Sequence, residues 1–169
     1  FHRNRMPLEC NQNTMSDHDM EAFMEYLTTA HHHGFTHRRI TPETLSRMEN
    51  GHPVIAGWHN GDYGSSAPNF ALDKVQLLVL LATLNGNDRA IACARRTWGD
   101  EQLIDLAPFI QKAAIPASTR ALPGWDKHVL TDLRTRISAL APQDVADSME
   151  KVTLSRFSLR SFIAIALLV

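Results

Sequence analysis

A chain of 169 residues, 44% of them apolar, is long enough for one domain with a real core and too apolar for extended disorder. A formal charge of −1 and a pI near 6.8 give no chain-wide signal for nucleic acid or an anionic membrane, so either partner would have to be met by a local patch. The two cysteines, Cys10 and Cys93, are too few for a disulfide framework, lack zinc-finger spacing and fit a reducing compartment.

Residues 1–15 mix polar and single apolar side chains without a period and read as an extended or mobile lead-in. Phe1–Arg5 is basic but no apolar run follows it, so no secretory signal is legible and a cytoplasmic location is expected. The first residue is Phe1 rather than methionine, which suits either a fragment or a processed form of a protein. From Ser16 the pattern changes. Ser16 or Asp17 caps a helix whose apolar residues Met20, Phe23, Met24 and Leu27 recur at helical spacing, with Gly34 placed to end it. Thr41-Pro42-Glu43 predicts a second, short helix with a hydroxyl cap and proline in its first turn, carrying Leu45 and Met48 and stopping at Asn50-Gly51.

Val54–His59 reads as a short strand, the only β element expected. The stretch from Asn60 to Asn69 is the richest in turn formers and is expected to be a loop. Asn69 then caps a helix over about 70–84, apolar on nearly every side, and Asn85-Gly86-Asn87-Asp88 turns the chain into another over 88–98. These two form the central buried hairpin. Asp100 starts a further helix to about Ala114, kinked or divided at Pro108. Residues 116–124 are a connector and the only candidate internal boundary. Beyond it Trp125, Val129, Leu133, Ile137 and Leu140 mark an amphipathic helix, and Pro142 opens a short one to Lys151. The last stretch fits strand and helix about equally. Its apolar end, Phe162–Val169, is too short for a membrane span of about 20 residues and is expected in the core or in self-association. The expected fold is mainly α: one domain over 16–169, six or seven short helices around the hairpin, and a minor β element near 54–59.

Three groups of residues carry candidate chemistry. His31-His32-His33 and His37 gather imidazoles near a helix end, but consecutive helical residues point about 100° apart, so only one of the three can join His37. His33 with His37 is the weak candidate for a zinc or nickel ion, and the bland reading is a helix C-terminus suited to cationic histidine. His59-x-x-Asp62 with Ser65 or Ser66 places an oriented imidazole and a hydroxyl on one loop, enough for a hydrolase-like site with His59, Asp62 and Ser65. Gly-Ser-Ser-Ala-Pro lacks the second glycine of a nucleophile elbow, and turn chemistry alone explains Asn60, Gly61, Asp62 and Gly64.

The third group is Thr44-Leu45-Ser46-Arg47-Met48-Glu49-Asn50-Gly51-His52-Pro53, which resembles the recognition-helix end of phage-repressor helix-turn-helix regulators. The resemblance covers ten residues, and where the family carries Gln-x-x-Leu-Ala this chain has Thr36-His37-Arg38-Arg39-Ile40. It implies DNA binding, with Thr44 and Arg47 at bases and Arg38 and Arg39 at phosphates. Arg89, Arg95, Arg96, Arg134 and Arg136 read as solvated faces without interleaved aromatics. The expected function is a non-catalytic binding or regulatory module that recognises a protein or DNA through the 41–50 helix and its arginines. The alternative is an enzyme using loop 52–66.

Overall fold

The computed structural model describes residues 5–7, 15–64 and 66–142. The rest of the lead-in, Cys10, Ser65, the segment Phe162–Val169 and all but the first residue of the helix expected over Pro142–Lys151 lie outside the described residues. Within them are six α-helices and two small antiparallel sheets. The class is mainly α with a minor β part.

Helix α1 (Asp17–His32) starts at a reciprocal cap. The Asp19 N–H donates to Ser16 Oγ at 3.1 Å and the Ser16 N–H donates to the Asp19 carboxylate at 3.4 Å. Its expected face, Met20, Phe23, Met24 and Leu27, is fully buried. Helix α2 (Ala67–Asn85) starts three residues earlier than Asn69 implies, because Pro68 sits in its first turn, where a missing N–H costs nothing. Leu77 to Leu81 are all fully buried, so α2 is the axis of the core. Alone among the described helices it is long and apolar enough to cross a membrane, and 61% of that stretch is buried inside the protein.

Gly86, at φ +91°, turns the chain into α3 (Asn87–Thr97), which closes the hairpin and also packs on α1. Helix α4 (Asp100–Leu106) ends before Pro108, and 3-10 turns over 107–109 and 112–114 replace the rest of the expected helix. A short α5 (Ala117–Arg120) lies in the connector. Helix α6 (Lys127–Ser138), capped by Asp126, returns Leu130, Leu133 and Ile137 to the core.

The expected helix over 41–50 is not there. Thr41–Thr44 makes a single 3-10 turn, closed by the Thr44 N–H on the Thr41 carbonyl at 3.0 Å. Leu45 then turns extended and strand β3 (Leu45–Met48) begins. It pairs antiparallel with β4 (Pro53–Ile55) on one side and with β1 (Arg5–Pro7), inside the lead-in, on the other. Asn50-Gly51, read as a helix stop, is the hairpin turn: Gly51 has φ +82° and its N–H reaches the Met48 carbonyl at 2.8 Å. A backbone ladder on each side outcompetes the weak helical preference of a ten-residue stretch. A second sheet joins β2 (Phe35–Thr36) to β5 (Asp62–Tyr63), with Phe35 opposite Tyr63 and Thr36 opposite Asp62.

Candidate functional site

The outer side of α1, beside its buried face, carries Ala22, Glu25, Tyr26, Thr29 and Ala30, spaced i, i+3, i+4, i+7 and i+8. This stripe forms one wall of a groove of about 1100 Å³. The opposite wall is built from β2, the Ala56–Trp58 bend and β5, and contributes Phe35, Trp58, His59, Asp62 and Tyr63, with His52 at the hairpin end. Four aromatic rings therefore face one space. Phe35 and Tyr63 meet at a tilt across the strands with centroids 5.1 Å apart and remain 47% and 72% exposed. Trp58 approaches Tyr26 at 6.3 Å. Burial pushes the Tyr26 hydroxyl above its ordinary pKa, so it stays neutral. The acidic lining residues are Glu25 and Asp62, and among the described residues no lysine or arginine lines the groove.

Two glycines permit the tight wall. A Cβ on Gly61 would lie 2.6 Å from the Thr36 carbonyl oxygen and 2.9 Å from that of Trp58, so only glycine lets β5 close on β2. Gly57 sits at φ +85°, and a Cβ there would lie 3.2 Å from the Thr44 methyl.

The floor is held by a buried polar knot. Asp73 of α2, 1% exposed, accepts the His37 N–H at 2.6 Å and the Arg38 N–H at 2.8 Å. It also accepts from His31 Nε2 at 3.0 Å. These bonds hold Arg38 at φ +71°, a strained value for a residue with a side chain. His37 Nε2 lies 2.7 Å from the Ala56 carbonyl. A carbonyl only accepts, so Nε2 carries the proton, and Nδ1 accepts the Arg39 N–H at 3.3 Å. Desolvation lowers the His37 pKa, outweighing the pull of the Ala56 carbonyl and Asp73, with nearby His59 also opposing its charge. A neutral imidazole thus pins the Ala56–Trp58 bend, and its ring meets Trp58 edge-on at 4.8 Å.

Of the residues singled out for hydrolysis, His59 and Asp62 both line the groove, but no hydrogen bond joins them. His59 Nε2 contacts the Asn60 amide at 3.2 Å, and Asp62 accepts the Tyr63 N–H at 2.9 Å. Both are exposed, and Ser65 lies outside the described residues. His33 caps α1 in solvent while His37 points inward with both ring nitrogens engaged, so the proposed metal pair is divided. No group of three or more His, Cys, Asp or Glu suited to a metal occurs among the described residues.

The residues assigned to DNA are also consumed or dispersed. Thr44 Oγ1 donates to the Thr41 carbonyl at 2.8 Å. Arg47 grips both carboxylate oxygens of Asp19 at 2.6 and 3.0 Å and reaches the Gly51 carbonyl at 3.1 Å, tying the hairpin turn to the start of α1. That contact holds the Asp19 carboxyl below its usual range. Arg38 and Arg39 remain exposed. On α3 and α6, Arg89 pairs with Asp17, Arg95 with Asp100, Arg96 with Glu21 and Arg136 with Asp132, so these arginines are locally neutralised.

Sequence reasoning missed Tyr26, Phe35, Trp58 and Tyr63 as a group. The second stripe on α1 was readable from its spacing. Phe35 and Tyr63, beside Gly34 and Gly64, became a pair only through strand pairing. No known family matches the sequence, and neither a curated protein nor a solved structure matches the chain.

Proposed function

We propose that this protein is a non-catalytic binding module whose recognition surface is the aromatic groove between α1 and the β2–β5 sheet, and that its ligand is a protein segment presenting a basic side chain flanked by apolar ones. The observation that carries this reading is the lining itself: four aromatic rings, two of them strongly exposed, with Glu25 and Asp62 and, among the described residues, no lysine or arginine. Aromatic faces attract guanidinium and ammonium groups, and a carboxylate beside them adds charge complementarity. A groove of about 1100 Å³ is at the upper end of small-molecule pockets, in keeping with a peptide. Exposed aromatics at a rigid wall are the typical anchors of protein recognition. The test is selection of random displayed peptides on the intact chain. Enriched sequences should share an arginine or lysine next to an apolar residue, and a Tyr63→Ala/Phe35→Ala variant should not retain them. A pool without basic residues, or one retained equally by the variant, would refute the reading.

A second, hydrolytic reading draws on His59 and Asp62 lining the same groove. It requires a serine nucleophile, and a fluorophosphonate probe would label the chain and lose that label in Ser65→Ala. We expect no label.

A further inference from the structure

On the α6 side of the molecule, a smaller cavity of about 350 Å³ is lined by Gln111, Lys112, Trp125, Lys127, Leu130, Thr131 and Arg134. We propose that this cavity is a nucleotide-binding site, with Lys112, Lys127 and Arg134 taking the phosphate and Trp125 stacking on the base. It is independent of the aromatic groove.

Charge is the first support. Three of the seven lining residues are cations and none is an acid. The other arginines of α3 and α6 are matched by carboxylates, yet among the described residues Lys112, Lys127 and Arg134 have no side-chain ion pair. Asp126, next in sequence to Lys127, is turned to the helix cap, where it accepts the His128 N–H at 2.9 Å. The second support is the placing of Lys127. It occupies the first position of α6, where Asp126, the cap, is the one acid and is engaged by the His128 N–H, so the cation adds to the positive end of the helix dipole.

Trp125 is the third. Trp58 donates its indole N–H to the Ile55 carbonyl and Trp98 donates to Thr28 Oγ1. Trp98 also lies under Lys74. Among the described residues the Trp125 indole has neither a hydrogen-bond acceptor nor a cation on its ring, and it is only partly buried. Along the sequence, Arg134 has no aromatic neighbour. The turn that leads from Gln111 back to α6 brings Trp125 beside it. Base stacking on an indole with basic side chains for phosphate is the usual recognition of single nucleotides and single strands.

Free nucleotide and single-stranded nucleic acid share this chemistry, and two probes separate them. Binding of AMP would be read by calorimetry, and binding of a labelled oligothymidylate of about twelve nucleotides by fluorescence anisotropy, both at low salt. Binding of AMP alone assigns a free nucleotide, and binding of the oligomer much more tightly than AMP assigns a strand. In either case Lys127→Glu/Arg134→Glu, on exposed side chains, should weaken binding at least about tenfold, and Trp125→Leu should do likewise. The proposal is overturned if neither probe binds, if the charge-reversed pair binds as well as the parent, or if Trp125→Leu folds and keeps full affinity.

Discussion

Asp73 shows how much of the groove depends on a single buried side chain. Its two oxygens satisfy two consecutive backbone N–H groups and a histidine, and the strain at Arg38 is sustained only while those bonds hold. An asparagine in its place would offer one accepting oxygen and turn an amide N–H toward a backbone donor. We expect Asp73→Asn to cost about 2–3 kcal/mol, read as a lower urea midpoint, whereas Asp62→Asn on the exposed rim should cost almost nothing. His37 adds a pH dependence. Its folded pKa lies below the ordinary value of about 6.5, so between the two values the unfolded chain binds more protons. This contribution to stability is therefore complete above about pH 6.5 and is lost as the pH falls from there toward the folded value. Urea midpoints should drop on going from about pH 7.5 to about pH 5, and His37→Gln should flatten the drop. An unchanged slope in that variant would remove His37 from the account. Neither role was legible beforehand. Asp73 sits beside Lys74 in what reads as a polar position near a helix start, His37 in a histidine-rich stretch suggestive of metal, and only the meeting of α2 with residues 37–38 reveals what they do.

At the scale of elements, the long helices were readable and, apart from the β element expected near 54–59, the strands were not, for a physical reason. Met20, Phe23, Met24 and Leu27, or Leu133 and Ile137, announce themselves by a spacing that belongs to the helix alone. Leu45–Met48 has no such independence, since it is a strand only because β1 and β4 lie on either side. Thr41-Pro42-Glu43 and Asn50-Gly51 are valid helix signals that serve equally as a 3-10 turn and a hairpin turn. The ten-residue likeness to repressor recognition helices fails on the same point, because its residues follow strand geometry. Two substitutions test the elements. Arg47→Ala unties the hairpin from the α1 cap and, for a partly exposed pair, should cost about 1 kcal/mol, with most of the coupling to Asp19 recovered in a double-mutant cycle. Gly61→Ala forces a Cβ against two carbonyl oxygens and should destabilise by about 1–3 kcal/mol while separating β5 from β2, read as loss of hydrogen-exchange protection at Gly64, whose N–H donates to the Gly34 carbonyl at 3.0 Å.

For the whole molecule, the α2–α3 hairpin is scaffold and the chemistry lies around it. Leu80 is fully buried, and Leu80→Ala should cost about 2–5 kcal/mol in denaturant melts while leaving the groove's ligand preference unchanged in the folded fraction. Turn formers mark residues 60–69 as a loop, and Gly61, Asp62 and Tyr63 at its start line the groove beside Phe35 and Thr36, yet the other wall comes from a stripe of α1, well upstream in the chain. A site shared between a helix face and a loop is invisible until the two are docked.

The central claim is that Glu25, Asp62 and the surrounding rings recognise a basic segment, and calorimetric titration of a selected basic peptide into parent and Glu25→Gln/Asp62→Asn proteins tests it most directly. The account predicts that the neutralised pair, which stays folded, binds at least about tenfold more weakly, about 1.4 kcal/mol, with a flatter salt dependence. Equal affinity for the two proteins would contradict it.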